Sequence, residues 1–234
     1  MSQLQYIIAG GSSGIGLEIT KQLLDLGNIV HVISRGLKEI EISHTNLHTY
    51  KADLSAIDSH LPLLEGAVSG LIYCPGSINL KPFRAIKPED FMSDFNINLV
   101  GAVRVIQKYL PNLQLSESAS IILFSTVAVQ TGMSFHSSVA AAKGAVEGLG
   151  RSLASEFAPK IRVNVIAPSL TQTPLASKLI NTESKLDLVR DRHPLKRIGA
   201  PDEIASLATY LLSPKASWIT GQVLKIDGGI SAIK

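Results

Sequence analysis

The sequence predicts an α/β fold in which one doubly wound parallel sheet carries helices on both faces. Short apolar strands alternate with longer helical patterns along all 234 residues, the order that a parallel sheet with crossover helices requires. The strand interiors are uniformly apolar, as expected when both faces of a sheet are covered. No linker or internal repeat interrupts this order, so residues 1–234 are predicted to form a single domain.

Seven strands are predicted from apolar runs bounded by glycine, proline or polar residues. They are Tyr6–Ala9, Ile29–Ser34, Leu47–Lys51, Gly70–Cys74, Ser120–Ser125, Arg162–Ala167 and Val223–Ile226. Ligands of such sheets bind outside the carboxyl ends of the strands, where the strand order reverses. That edge is therefore the expected binding site.

Four helices connect these strands. They are predicted at about Gly16–Leu26, Pro88–Leu110, Ser138–Phe157 and Pro201–Leu211. Gly27 is expected to end the first helix, because glycine adopts the left-handed conformation common at helix ends. Pro111 is expected to end the second, because proline lacks a backbone donor. The connections 36–46 and 55–69 leave room only for short helices.

Composition narrows the function classes. A hydrophobic content of 45% argues against disorder, and a net charge of +3 without a basic run argues against nucleic acid as the main partner. The apolar runs are too short to span a bilayer, and the first residues, Met1–Tyr6, lack the pattern of a signal peptide. The single cysteine, Cys74, fits a reducing cytoplasm. The histidines lack metal-ligand spacing, so no metal site is predicted.

A glycine-rich loop follows the first strand, with glycines at Gly10, Gly14 and Gly16. Glycines there allow a diphosphate to approach the backbone N–H groups at a helix N-terminus, where the helix dipole favours anions. A plain structural turn also uses glycines. The position after an amino-terminal strand, in a chain of alternating strands, favours a nucleotide site.

The second strand ends in Ser34-Arg35-Gly36, without the carboxylate that usually holds the ribose of NAD. Arg35 can bind a 2′-phosphate with two hydrogen bonds, which favours NADP(H) over NAD(H), although NAD(H) is also possible. A solvated surface arginine is the alternative. Asp53, followed by Leu54 after the third strand, is placed to accept from the adenine amino group, or instead to cap a helix.

Further motifs follow in a characteristic order. They are Asn98-Leu99-Val100-Gly101, Pro168-Ser169 with Thr173-Pro174, His193–Gly199 leading into Pro201–Ala205, Ile219–Gln222 and Asp227-Gly228-Gly229. With the glycine loop, they make the chain resemble the short-chain dehydrogenase/reductase family over nearly its whole length. The 3-oxoacyl-carrier-protein-reductase-like members are the most similar, although Ser169 stands where they have glycine.

The resemblance implies a Rossmann fold that binds a dinucleotide and a small-molecule substrate. It also implies a substrate lid at about 172–195 and a homo-oligomer, a dimer or tetramer. Gly76 would line the sugar of the cofactor, although Tyr73-Cys74-Pro75-Gly76 replaces the usual Asn-Asn-Ala-Gly. The cofactor-binding residues are then expected to be Gly10, Ser12, Ser13, Gly14, Ile15, Gly16, Ser34, Arg35, Asp53, Leu54, Gly76, Lys143, Pro168, Thr171 and Thr173.

The family's catalytic helix carries Tyr-x-x-x-Lys, in which the lysine lowers the tyrosine pKa and the tyrosine protonates the substrate oxygen. Here Lys143 is present, but Val139 stands four positions earlier, and valine has no proton to donate. Thr126 occupies the position of the family's serine and retains a hydroxyl, and Asn98 matches the family's asparagine.

Three interpretations remain open. In the first, His136 donates the proton. It stands seven residues before Lys143, at the offset of the tyrosine in enoyl reductases. The alternative is that His136 lies in the loop before a helix capped by Ser138. In the second, hydride adds to a carbonyl-conjugated alkene, and Thr126 stabilises the enolate. In the third, the protein is a catalytically inactive, cofactor-binding assembly partner or redox sensor.

Overall fold

The computed structural model describes residues 3–37, 40–56 and 58–233. Part of the amino-terminal segment (Met1 and Ser2), part of the connection 36–46 (Lys38 and Glu39), and Ile57 and Lys234 lie outside the described residues. The predicted doubly wound fold is confirmed: seven parallel strands lie in the order β3-β2-β1-β4-β5-β6-β7. They are β1 (Gln5–Ala9), β2 (Ile29–Ser34), β3 (Leu47–Lys51), β4 (Gly70–Tyr73), β5 (Ala119–Phe124), β6 (Ile161–Pro168) and β7 (Val223–Ile226).

Helices cover both faces of the sheet. Among the described residues they are α1 (Gly14–Asp25), α2 (Pro88–Phe95), α3 (Gly101–Gln114), α4 (Ala128–Thr131), α5 (Ser137–Phe157), α6 (Glu183–Arg192) and α7 (Pro201–Leu212). Apolar side chains of α3 and α5 form one buried core with the sheet, and those of α1 and α7 form the other. Gly27, with φ of 79°, follows the end of α1 as predicted.

The strand order reverses beside β1. The chain moves outward from β1 through β2 to β3 and then crosses to β4 on the other side of β1. The connections that leave the carboxyl ends of β1 and β4 therefore diverge, and a cleft opens between them. This is the edge at which the sequence predicts the ligand.

The predicted single helix Pro88–Leu110 is wrong in two respects. A π-helical segment, Asn96–Val100, separates α2 from α3, and α3 continues through Pro111 to Gln114. The helix continues past the proline because Leu113 is fully buried and the Asn112 amide donates to two backbone carbonyls of the 58–69 connection. This tertiary packing outweighs the loss of one backbone hydrogen bond.

The structure corrects two further local predictions. Helix α5 begins at Ser137 with His136 at its N-cap position, so Ser138 is not the cap; its hydroxyl is buried in the first turn without a hydrogen-bond partner among the described residues. The described parts of the connections 36–46 and 55–69 contain no helix. Asp53 therefore caps no helix; its carboxylate accepts from the backbone and hydroxyl of Ser55 and forms a local turn.

Two glycines of α5 test how tightly this helix is held against β6. A Cβ atom at Gly150 would lie 2.6 Å from the Val165 side chain, whereas one at Gly148 would meet nothing within 4 Å. We expect Gly150→Ala to lower the free energy of unfolding by about 1–3 kcal/mol through overpacking. Gly148→Ala, the matched control, should raise it by up to about 1 kcal/mol, because alanine favours the helix. Urea denaturation measures both, and equal effects would contradict the close packing.

Candidate active site

Two adjoining cavities lie along the carboxyl edge of the sheet. The first, hereafter the loop cavity, has a volume of about 390 Å³ and runs from the glycine loop to Arg35. The second, hereafter the lid cavity, has a volume of about 400 Å³ and lies between α5 and the segment 168–193. Both are lined by Ile15, Cys74, Gly76, Thr173 and Leu175, so they meet at these residues.

The predicted site residues divide between the two cavities. Gly10, Ser12, Ser13, Gly14, Ile15, Gly16, Ser34, Arg35, Asp53, Leu54, Gly76 and Thr173 line the loop cavity. Thr126, His136, Lys143, Pro168 and Thr171, with Ile15, Gly76 and Thr173 again, line the lid cavity. Asn98 lines neither, but it lies behind Gly76: a Cβ atom on Gly76 would be 3.1 Å from Asn98 Oδ1.

The loop cavity has the features of an anion site. Helix α1 begins there without a side-chain cap and without an acidic residue in its first turn, so its first N–H groups are free to bind an anion. Gly14 has φ of 53°, which a residue with a side chain rarely adopts, and a Cβ atom there would press on Thr173 at 3.3 Å. At the other end, the Ser34 hydroxyl is buried with no hydrogen-bond partner among the described residues.

Arg35 and Asp53 lie at the Ser34 end of the loop cavity. Arg35 is exposed and makes no hydrogen bond or ion pair with any other described residue. Hydrogen bonds from Ser55 lower the pKa of Asp53, and the positive charge of Arg35 acts in the same direction. The cavity therefore presents one unpaired guanidinium and one ionised carboxylate to a ligand.

Lys143 lines the lid cavity beside Gly76, one of the residues at which the two cavities meet. It is 8% exposed, and its ammonium donates to the Phe124 carbonyl at the end of β5, at 2.9 Å. A Cβ atom on Gly76 would lie 3.3 Å from Lys143 Nζ, so a side chain there would crowd the ammonium. Burial lowers the pKa of Lys143 to about 8, although the Cys74 thiol and the Asp94 carboxyl oppose the shift.

A polar network supports Asn98 in the π-helical segment. Its amide donates to the Ser77 hydroxyl at 2.9 Å and to the Asp94 carbonyl at 2.8 Å, while Ser77 donates to the Asp94 carboxylate at 2.6 Å. Asn98 Oδ1 and Asp94 Oδ2 are buried without protein partners among the described residues. Sequence analysis missed Ser77 and Asp94. The four-residue spacing of Asp94 and Asn98 was the only available signal.

Thr126 and Val139 face the same cavity with different chemistry. Thr126 Oγ1 accepts from the Ala128 amide at 3.3 Å, which leaves the hydroxyl proton free to donate. Val139 is 5% exposed and adds an apolar surface one helical turn before Lys143. Burial raises the pKa of the neighbouring Cys74 thiol to about 12, so Cys74 is a neutral wall residue.

His136 lies at the start of α5 and lines the lid cavity. Its Nδ1 is 2.8 Å from the Ser134 carbonyl, which can only accept, so Nδ1 carries a proton. No described residue binds Nε2. The His136 carbonyl accepts from the Ala140 amide at 2.7 Å, which joins the backbone of His136 to the first turn of α5.

The segment after β6 forms the outer wall of the lid cavity. It contains a 3₁₀ helix, Pro174–Leu179, and α6, neither of which the sequence predicts. Thr171 donates to the Ser169 carbonyl at 3.0 Å, and Thr173 Oγ1 accepts from the Ala176 amide at 3.3 Å. The Thr173 hydroxyl proton is therefore still available to a ligand.

Comparisons with known proteins agree with this site. A family model described as enoyl-(acyl carrier protein) reductase matches residues 9–231. A tropinone reductase homolog of Arabidopsis thaliana is 35% identical over 242 residues, which span 96% of this chain and 89% of that protein. The chain belongs to the short-chain dehydrogenase/reductase family. Members of this family bind NAD(H) or NADP(H) and act on small molecules.

Solved structures support the family assignment. The ligand-free aldohexose dehydrogenase of Thermoplasma acidophilum has a TM-score of 0.89 and 26% identity, with 99% of this chain and 95% of that chain covered. A short-chain dehydrogenase/reductase of Brucella melitensis, named as a glucose/ribitol dehydrogenase, has a TM-score of 0.87 and 29% identity, with 97% and 96% covered. The relatives are therefore dehydrogenases and reductases, which supports an oxidoreductase.

Among the described residues there is neither a candidate membrane-spanning helix nor a candidate metal site. None of their helices is long and apolar enough to cross a membrane. Within the same ranges, no group of three or more histidine, cysteine, aspartate or glutamate side chains is arranged to hold a metal ion.

The lowered pKa of Lys143 predicts a pH-dependent stability. Between about pH 8 and pH 10.5, the unfolded chain binds a proton at this lysine that the native state has lost, so the free energy of unfolding rises with pH. Relative to Lys143→Met, the wild type should gain roughly 3 kcal/mol across this window. Urea unfolding without cofactor measures the difference, with Lys108→Met on the exposed face of α3 as the control. A flat difference for Lys143→Met would contradict the buried charge.

Proposed function

We propose that this protein is an NADP(H)-dependent oxidoreductase with an atypical active site, which acts on a carbonyl or carbonyl-conjugated group of an apolar small molecule. The observation that carries the proposal is the position of Lys143. Its buried ammonium lines the apolar lid cavity and lies beside Gly76, a residue that lines both cavities. A dinucleotide in the first cavity would thus place its reactive end in the second.

The residues fit a dinucleotide. The uncapped start of α1 suits the diphosphate, the unpaired Arg35 suits a 2′-phosphate, and the unpartnered Ser34 hydroxyl suits the adenosine ribose. Asp53 would accept from the adenine amino group, and Lys143 would donate to the second ribose. Backbone groups from Pro168 to Thr171 and the Thr173 hydroxyl would hold the nicotinamide carboxamide.

The lid cavity would hold the substrate. Apolar side chains such as Ile78, Leu179 and Val189 line most of it, and the Thr126 hydroxyl is free to donate to a substrate oxygen. When bound, the reduced nicotinamide supplies a hydride. Thr126 would stabilise the negative charge that develops on the oxygen, because a hydrogen bond in a water-poor cavity is strong.

His136 is the proposed proton donor in place of the family's tyrosine. Because Nδ1 already donates to the Ser134 carbonyl, only Nε2 can serve the substrate. The ring must therefore be doubly protonated before the reaction and neutral after it. Val139 cannot take this role, since it has no ionisable group.

A second candidate function follows from the same valine. A buried apolar side chain four residues before Lys143 also suits a protein that binds the cofactor without turnover, as an assembly partner or redox sensor. Tight NADPH binding without reduction of any ketone or enone would favour this function. The ketones and enones to be tested are tropinone, which the names of similar proteins suggest, a 3-oxoacyl thioester, cyclohexanones and cyclohexenone.

Replacing Arg35 tests the cofactor preference. We expect Arg35→Met to weaken NADPH binding by roughly 10–100-fold, the loss of charge-assisted hydrogen bonds to a phosphate, with little effect on NADH. Fluorescence titration with both dinucleotides measures the dissociation constants. Arg84→Met is the control, because Arg84 lines neither cavity. Equal affinities of the wild type for NADPH and NADH would remove the role of Arg35.

Replacing His136 tests the proton donor. His136→Asn keeps an amide donor for the Ser134 carbonyl and should lower kcat for carbonyl reduction by roughly 10²–10⁴-fold, the usual contribution of a positioned acid. Exposed His60 provides the control, His60→Asn. Unchanged turnover in His136→Asn would exclude the histidine.

Replacing Val139 tests whether the rest of the site is competent. Val139→Tyr should raise ketone reduction, because it places a phenol one turn before Lys143.

A further inference from the structure

A serine and a histidine form a hydrogen bond at the base of the segment 168–193, hereafter the lid segment. Ser169 is the first residue after β6, and His193 is the first after α6. Ser169 Oγ lies 2.8 Å from His193 Nε2. Both residues line the lid cavity, and His193 is only 3% exposed. The proposed reaction uses neither side chain.

When the imidazole is neutral, the second ring nitrogen fixes the direction of this hydrogen bond. His193 Nδ1 lies 2.7 Å from the Val189 carbonyl of α6, and a carbonyl can only accept, so Nδ1 carries a proton. In the neutral ring Nε2 is then an acceptor, and the Ser169 hydroxyl donates to it. Ser169 Oγ consequently has its own proton occupied and only lone pairs to offer a ligand.

The surrounding backbone holds Ser169 in place. Its carbonyl accepts from the Thr171 hydroxyl at 3.0 Å, and its amide donates to the Ile226 carbonyl at 3.3 Å. The histidine is held from α6 and the serine from the end of β6. The pair therefore presents an oriented acceptor, because both partners are already fixed before a ligand arrives.

The rest of the proposed reaction requires donors. Thr126 has a free hydroxyl proton and His136 would donate through Nε2, so both suit a carbonyl oxygen. Ser169 has the opposite polarity in the same, mostly apolar cavity. A ligand that fills this cavity removes Ser169 Oγ from water, and an unpaired polar group there costs free energy, so the acceptor selects ligands that satisfy it.

We propose that the Ser169–His193 pair accepts a hydrogen bond from a hydroxyl group of the substrate. The substrate is then an apolar ketone or enone that carries a hydroxyl away from the reacting carbonyl. This inference rests on the proposed function, because it concerns the same cavity. The bond changes no covalent structure; it orients the substrate.

Matched pairs of ketones test the pair directly. The probes are 3- and 4-hydroxycyclohexanone and their 3- and 4-methyl counterparts, which have nearly the same size. For the wild type we expect kcat/KM to favour one hydroxyl compound over its methyl counterpart by at least about tenfold. In Ser169→Ala this ratio should fall to about 1. Because both ketones are measured on one variant, a general loss of activity cancels.

Conservative variants separate hydrogen bonding from packing. Ser169→Thr keeps the hydroxyl and should retain the preference. His193→Gln keeps an oxygen that can accept the serine proton and should retain more of it than His193→Phe. A hydroxyl preference that persists in Ser169→Ala, or that the wild type lacks for both isomers, would overturn the inference.

Failure of the proposed function gives a different result. If the wild type reduces neither these four ketones nor tropinone, the 3-oxoacyl thioester or cyclohexenone, the proposed function fails, and ligand-observed NMR titration of the four ketones against the protein with NADP⁺ still tests the pair. Tighter binding of a hydroxyl compound that Ser169→Ala abolishes would support the Ser169–His193 site. Equal binding of the hydroxyl and methyl compounds would overturn it.

Discussion

The buried ammonium of Lys143 is the interaction on which the arrangement of the site depends. Helix α5 carries it, the Phe124 carbonyl at the end of β5 accepts its hydrogen bond, and Gly76 lies beside it without a side chain. An ammonium removed from water loses much of its hydration, and burial lowers its pKa for this reason. Such a group persists where the fold fixes the surrounding polar atoms. The Asn98 network behind Gly76 also contains two buried oxygen atoms, Asn98 Oδ1 and Asp94 Oδ2, that have no hydrogen-bond partner among the described residues.

The parallel sheet explains why two chemically different cavities meet beside this lysine. All strands point the same way, so the glycine loop after β1, the Gly76 turn after β4, Thr126 after β5 and Pro168 at the end of β6 lie along one edge. The reversal of strand order beside β1 opens that edge. On the α1 side the cavity is lined by backbone N–H groups and an arginine, and on the α5 side by apolar side chains. The parallel arrangement of the strands thus places an anion site next to an apolar site.

Much of this could be predicted from the sequence, because strands buried on both faces are uniformly apolar and glycine marks the turns. The β2, β3 and β7 boundaries are as predicted. The π-helical segment at Asn98 and the continuation of α3 past Pro111 could not be predicted, since each depends on tertiary contacts: the Tyr73 hydroxyl donates to the Ile97 carbonyl, and Leu113 is drawn into the core. The lid helix α6 is mostly charged and exposed, so its amphipathic signal is weak.

The same limit applies to the side chains of the site. Thr126 and Lys143 could be placed because motif spacing reports the face of a helix or the end of a strand. The Ser169–His193 pair could not, since its members are 24 residues apart and meet only when α6 folds back over β6. Val139 connects the two cases. Val139 gives the lid cavity an apolar wall, so polar recognition of a substrate must come from other side chains. The lid segment supplies such a group, already oriented by hydrogen bonds that the motif does not encode.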